Sequence, residues 1–354
     1  LLQLENRENI NKYKTAGKIA MNVLDILIKN VVPGSSISYL CDTGDNLISS
    51  ELDKVYTDIT NKGIAFPTCI SIDNIAGCYS PKDKNKIIND GDLVKIELGV
   101  HIDGFPALIA YTVLSANNYS VIDSKKVNVL KATMDASKQI IKVLKSGKMA
   151  SEVVKILDRC AKKYNCAVPT TSNEHNSRCP GIISYEISRN VLDDFNEEDD
   201  EYIHRFIMNK PSDSFEYGFR DNEFENLEVY AIDIVMCSGE GKLTASADED
   251  SCNIYRRKIG KRVNLKLNSS KNTLSKFRED GFPTNTKNIQ DSRFLLGLKE
   301  CVNKGLVYNY PVMREKTGEY VARLKFTVII EKEPVLITGR SLEEQLKKVE
   351  NITI

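Results

Sequence analysis

Histidine is scarce: His101, His175 and His204 are the only three in 354 residues, which leaves little imidazole for catalysis or metal binding. Net charge is absent too. Forty-nine Lys and Arg balance 49 Asp and Glu, so any affinity for nucleic acid must come from a local patch. No run approaches the ~18 consecutive apolar residues of a membrane helix, and no signal-peptide pattern opens the chain, so no membrane partner is expected. Nine cysteines (41, 69, 78, 160, 166, 179, 237, 252 and 301) form no C-x-x-C pair. Their odd number argues against a disulfide framework or a zinc knuckle and for a reducing compartment. The chain opens on Leu1 without a Met, as expected of a trimmed chain.

With 41% hydrophobic and 28% charged residues, the composition is that of an ordinary globular protein. Residues 91–114, GDLVKIELGVHIDGFPALIAYTVL, read as two strands joined at Asp103-Gly104. Val94, Ile96 and Leu98 alternate with Lys95, Glu97 and Gly99, and the second strand is apolar enough to be covered on both faces. Glu97 is a mid-strand carboxylate among aliphatics, which requires a partner or a metal. Leu227 to Cys237 repeats the arrangement around Asp233 and suggests an internal pseudo-twofold. Helices are expected over residues 11–31, 38–56, 124–145 and 150–164, a strand over 321–330 and a short charged helix over 341–350. The whole is an α+β chain with a mainly antiparallel sheet. Residues 193–201, DDFNEEDDE, are too acidic for a core and read as a surface excursion.

From Arg256 to Arg278 there are nine cations and no acid, interleaved with Tyr255 and Phe277 and read as helical up to about Lys304. A solvated face is the bland reading of such a run. Here its asymmetry in a neutral protein favours phosphate contact, with Arg256, Arg257, Lys258, Lys261, Arg262, Lys266 and Lys271 as candidates. No RNP, KH, zinc-finger or helix-turn-helix signature supports base-specific readout. His101 reads as a solvated residue near the turn, and His175 as loop surface.

Taken together, GIAFPTCISIDN, GDLVKIELGVHIDGF, LEVYAIDIV with SGEGK, and GEYVARLKFTVII resemble the methionine aminopeptidase superfamily (peptidase family M24) and its pita-bread fold. The resemblance covers essentially the whole chain. It is closest to the proliferation-associated, ErbB-receptor-binding branch, which is similar to a type 2 aminopeptidase with a lost active site. It implies one pita-bread domain over residues 1–354, with a basic insert subdomain over 254–310.

Active relatives hold two divalent metals with two Asp, one His and two Glu. Carried over position by position, the resemblance puts Glu97 at the first Asp, Leu108 at the second, Tyr185 at the His, Asp233 at the first Glu and Lys325 at the last. Cys78 falls on a substrate-pocket His, and without an adjacent base it is a poor nucleophile. Glu97, Asp233 and Lys325 are thus either a surviving metal or peptide site or a vestigial polar cluster that registers the sheet halves. The second is favoured, with Lys325 pairing with Glu97 or Asp233 where the metals would sit.

The function implied is that of a catalytically inactive adaptor without cofactor. It would bind structured RNA, the ribosome and other proteins, and serve ribosome biogenesis, translation and growth control in cytoplasm and nucleolus. A monomer is expected. The alternatives are a residual metal-dependent methionine aminopeptidase, or a pure protein-interaction scaffold that uses the empty cleft. Relatives commonly end in a lysine-rich tail, whereas this chain stops at Ile354.

Overall fold

In the computed structural model, residues 4, 6–117, 122–171, 183–192, 205–207, 209–210, 221–245, 252–289, 291–341 and 343–350 are described. The acidic run at 193–201, His175 and His204 lie outside them. Helices α1 (Arg7–Asn30) and α2 (Ile37–Leu52) come first, followed by β1 (Lys62–Ile72), β2 (Asp92–Ile102) and β3 (Phe105–Ser115). Next are α3 (Ser124–Val143), α4 (Ser151–Lys163), β4 (Thr170–Thr171), β5 (Ser184–Glu186), β6 (Phe206–Ile207) and β7 (Val229–Cys237). Then come β8 (Lys242–Ala245), β9 (Ile254–Arg257), α5 (Asn268–Leu274), β10 (Thr284–Asn285), α6 (Ser292–Asn303) and β11 (Val307–Asn309). The last elements are β12 (Met313–Arg314), β13 (Val321–Ile329), β14 (Val335–Leu336) and α7 (Glu343–Glu350).

The main sheet runs β1-β2-β3-β13-β7-β5-β6, with β14 on β13, and its pairs are antiparallel. Helix α1 covers β2 and β3 because its apolar residues recur every three to four positions. Tyr13, Ala16, Ala20, Val23, Leu24 and Leu27 are all buried, and the Tyr13 ring meets Phe105 at 5.3 Å. The Asn6 side chain accepts from the Glu8 N–H and caps the helix start. At the Asp103-Gly104 turn both residues have positive φ, and Asp103 is held by Lys12 from α1 and by Arg189.

The seam between the two halves of the sheet is β3 against β13, and it carries a local twofold. Ala110 and Lys325 are directly opposed. Two residues beyond each, a threonine hydroxyl takes the place of ladder bonds. Thr112 Oγ1 accepts from the Arg323 N–H and donates to the Arg323 carbonyl. Thr327 Oγ1 likewise accepts from the Leu108 N–H and donates to the Leu108 carbonyl. The seam is therefore spread slightly and satisfied by side chains.

Residues 254–310 depart from the helical reading of the sequence. They form the small sheet β10-β9-β11 with α5 and α6 around a separate apolar cluster of Phe277, Phe294, Leu298, Cys301, Leu306 and Val307. Polar contacts tie this unit to the main body. Asn253 and Asn285 donate to Ser80, Lys287 pairs with Asp42 at 2.8 Å, and Tyr310 meets Phe66 edge-on at 5.3 Å. No described helix is long and apolar enough to cross a membrane.

Candidate functional site

One cross-strand row sets the site. Glu97 on β2 opposes Ala110, Ala110 opposes Lys325, and Lys325 opposes Asp233 on β7. At ~4.8 Å per strand the two acids start about 14 Å apart. They can meet over the seam because Ala110 leaves the space between them open. Opposed residues and residues two apart share a face, so Leu108, Tyr185 and Arg323 project to the same side.

Four charged side chains converge there, each at least nine-tenths buried. The Arg323 guanidinium spans both acids. Its Nη1 and Nη2 donate to Glu97 at 2.7 and 2.8 Å, while Nε and Nη2 donate to Asp233 at 2.8 and 2.6 Å. Lys325 Nζ lies between them, 2.7 Å from Glu97 and 3.1 Å from Asp233. Two carboxylates and two cations close a neutral quartet of charge-assisted bonds. Burial raises the Asp233 pKa, but Arg323 and Lys325 outweigh it and hold the group below the ordinary carboxylate range. Burial lowers the pKa of both Arg323 and Lys325, and Arg323 lowers that of Lys325 further; Asp233 and Glu97 outweigh this and hold both cations above their ordinary values.

The surrounding residues support the quartet. Asp233 N–H donates to Ser184 Oγ, and Asn209 donates to the Asp233 carbonyl. Rings of Phe66 and Tyr185 each lie 5.8 Å from Lys325 Nζ. Gly77 rests on the guanidinium: a Cβ there would lie 2.2 Å from Arg323 Nη1. Cys78 is half-buried at φ +61°, next to Gly77 in the chain. Leu108 is buried over Gly99, where a Cβ would meet its Cδ2 at 2.4 Å. Among the described residues, no group of three or more His, Cys, Asp and Glu is placed to hold a metal ion.

Sequence reasoning missed Arg323, although it contributes four of the six contacts in the quartet. The signal was present. In VARLKF, Arg323 and Lys325 are two apart on an otherwise apolar strand, so they share a face.

His101 also needs correction, because it is not solvated. Its side chain is fully buried, stacked on Phe282 at 4.1 Å, with Nε2 2.6 Å from Arg278 Nη2. Arg278 donates as well to the Ile64 carbonyl and to Asp280, so it clamps the 254–310 unit to β1 and β2. Burial first, and the Arg278 charge second, push the His101 pKa down to about 3 from 6.5. Below pH 6.5 an unfolded chain binds a proton that the folded chain refuses, so this contribution to stability is lost as pH falls from 6.5 towards 3. Since Arg278 can only donate, neutral His101 should carry its proton on Nδ1. Nitrogen-15 spectra are expected to show that tautomer unchanged from about pH 8 to about pH 5; an imidazolium appearing near pH 6.5 would contradict the clamp.

The basic run is only partly a surface. Arg256 is 3% exposed and Lys258 9%, so neither can reach a phosphate. Ile254, Arg256 and Lys258 alternate onto the inner face of β9 and its extension, and Lys258 Nζ lies over the Tyr308 ring. Arg257 pairs with Glu279 at 2.6 Å, and Arg278 is committed to Asp280 and His101. Phe277 and Tyr255 pack within the unit's own core and offer no stacking platform. What remains outside is Arg262, Lys266, Lys271 and Lys276, the last with its Nζ 5.5 Å over the Phe294 ring, with Lys261 half-exposed. Among the described residues no carboxylate pairs with these five.

Residues 11–206 match the model of metallopeptidase family M24. A protein of Arabidopsis thaliana named ErbB-3 binding protein 1 is 32% identical, over 98% of this chain and 84% of its own length. A protein of Schizosaccharomyces pombe named curved DNA-binding protein is 33% identical, over 96% of this chain and 85% of its own. Among solved structures, a thermophilic Arx1 superposes with a TM-score of 0.80 at 24% identity, covering 98% of both chains, and methionine aminopeptidases share the fold.

Proposed function

The chain belongs to metallopeptidase family M24, in its ErbB-3-binding-protein branch and with the pita-bread fold, and from that premise we propose a catalytically inactive, RNA-binding and ribosome-associated adaptor. The observation that carries the inactive part is the quartet. Glu97, Leu108, Tyr185, Asp233 and Lys325 are read as the five former metal positions. The donors present do not fit two divalent cations: Leu108 offers none, and Arg323 and Lys325 already neutralise both carboxylates. A dication would have to displace two buried cations from 2.6–3.1 Å contacts. Such a donor set supports no metal-generated nucleophile, and Cys78 is read as a former substrate-pocket position.

Residues 254–310 are read as the basic insert subdomain, with Lys261, Arg262, Lys266 and Lys271 as its phosphate contacts. Support comes from their exposure and from the nucleic-acid name of the Schizosaccharomyces pombe relative. Counterion release makes such binding steep in salt and indifferent to sequence. Roles in ribosome biogenesis, translation and growth control, in cytoplasm and nucleolus, are part of the proposed function, with support from the likeness to the ErbB-3 binding protein and Arx1 relatives. Reversing the four cations to Glu should weaken binding to a structured RNA by about a hundredfold or more at low salt. The slope of log K against log salt should fall by about three. Unchanged RNA binding and ribosome co-sedimentation in that variant would remove the insert from the reading.

A further inference from the structure

Positive charge is concentrated a second time, in the helical hairpin α3–α4. Residues 124–163 hold eleven Lys and Arg against three acids, Asp135, Glu152 and Asp158, in a chain whose net charge is zero. Helix α3 packs on β13 and β7 and α4 on β6, whereas the insert is tied to α2, β1 and β2. The two basic regions therefore belong to opposite halves of the sheet, on either side of the β3–β13 seam.

Helical periodicity turns the charge outward. Val153, Ile156, Leu157, Cys160 and Ala161 are buried on one side of α4. Lys155, Arg159 and Lys162 form a stripe on the other, all exposed and spread over about 10 Å. Gln139 joins α3 to this stripe: it accepts from Arg159 and donates to Asp135 and to Cys160 Sγ. Lys142, three residues further along α3 and so on the same side of that helix, is exposed as well.

The acids around the hairpin do not cancel this charge. Seven of the eleven cations pair with carboxylates, and six of those pairs are open to solvent, where they add little and are readily screened. Within the stripe, Asp158 pairs with Lys162. Lys142, Lys155 and Arg159 pair with no carboxylate among the described residues. Asp221 and Glu223 stand at the N-terminal end of α4, where Asp221 accepts from the Ser151 N–H and Glu223 faces Met149 in a β-bridge. Apolar anchors are missing. None of the ten exposed large hydrophobic side chains among the described residues falls within 124–163. A protein partner or a bilayer would be held through such anchors, whereas a phosphate backbone is held by the cations alone.

We propose that the outward face of α4, Lys155, Arg159 and Lys162 together with Lys142 of α3, is a second contact for the phosphate backbone of structured RNA, independent of the insert. The inference rests on the RNA-binding reading and adds to it a separate site on the other half of the sheet. Contact is with phosphates and carries no base readout, so it is expected to be steep in salt and indifferent to sequence.

The probe is a fluorescein-labelled RNA duplex of about one helical turn, ~10 base pairs, titrated with the full chain at low salt. A glutamate-rich peptide and vesicles containing anionic lipid are run beside it. Two duplexes per chain are expected. Reversing Lys142, Lys155 and Arg159 to Glu should weaken one of the two sites by about tenfold or more and leave the thermal midpoint unchanged, since all three are exposed. Replacing the same three by Gln should give a smaller loss of the same sign. The insert variant with its four cations reversed should lose the other site, and the combined variant both. One duplex per chain, lost in the insert variant and unaffected by the hairpin variant, would overturn the second site and leave the RNA reading standing. Loss in the hairpin variant alone would support the second site and remove the insert. No duplex bound by the parent chain would overturn both. Binding of the peptide or the vesicles as tight as that of RNA, and lost in the hairpin variant, would overturn RNA as the occupant.

Discussion

Arg323→Ala is expected to destabilise the protein by about 3–5 kcal/mol, as a lower urea midpoint with an unchanged slope. The magnitude follows from what remains. Glu97 and Asp233 stay buried with only Lys325 between them, and one negative charge is left without a counter-charge in a site water does not reach. The converse experiment separates this cost from the worth of the quartet itself. Replacing all four members together (Glu97→Leu, Asp233→Leu, Arg323→Met, Lys325→Met) should leave stability within about 1–2 kcal/mol of the parent, or raise it, because desolvation of four charges disappears with their attraction. Acid provides a further check. In the parent, Asp233 is held below its ordinary pKa, so its contribution is present at neutral pH and lost as pH falls from the ordinary carboxylate value towards the lower one of the folded state. In Arg323→Ala a buried carboxylate is relieved by taking a proton, so the gap between variant and parent should narrow with acidification.

Gly77→Ala should cost about 2–3 kcal/mol, a large effect for one methyl group. The added carbon would lie 2.2 Å from Arg323 Nη1 and 3.4 Å from Glu97 Oε2. A guanidinium at the surface would swing aside at little cost. This one cannot, since moving Nη1 breaks its bond to Glu97 and strains the three that share its plane. The same substitution in the four-fold neutral variant, where no guanidinium is present, should cost under ~1 kcal/mol. A similar loss in both backgrounds would place the effect in the local backbone instead.

The sheet, the flanking helices and the row of acids were legible because they rest on periodicity and on motifs local in sequence. The expected helix over 11–31 is α1 at 7–30, and the expected final strand over 321–330 is β13 at 321–329. The misreadings share one cause, which is that burial is decided by distant chain. His101 is close to a turn, yet a residue 177 positions away covers it. Counting cations over 256–278 ignored strand alternation, which turns Arg256 inward with Ile254, and ignored Glu279 just past the count. Arg323 went unread because it corresponds to no motif position, although its spacing from Lys325 was sufficient to place it.

The most direct measurement is the metal content of purified protein after equilibration with excess manganese or cobalt and removal of free ion. Arg323 and Lys325 occupy the carboxylates that a dication would need, so well under one ion per chain is expected, and Lys325→Glu alone should not restore binding while Arg323 remains. Two ions per chain in the unmodified protein would contradict a site closed by its own side chains.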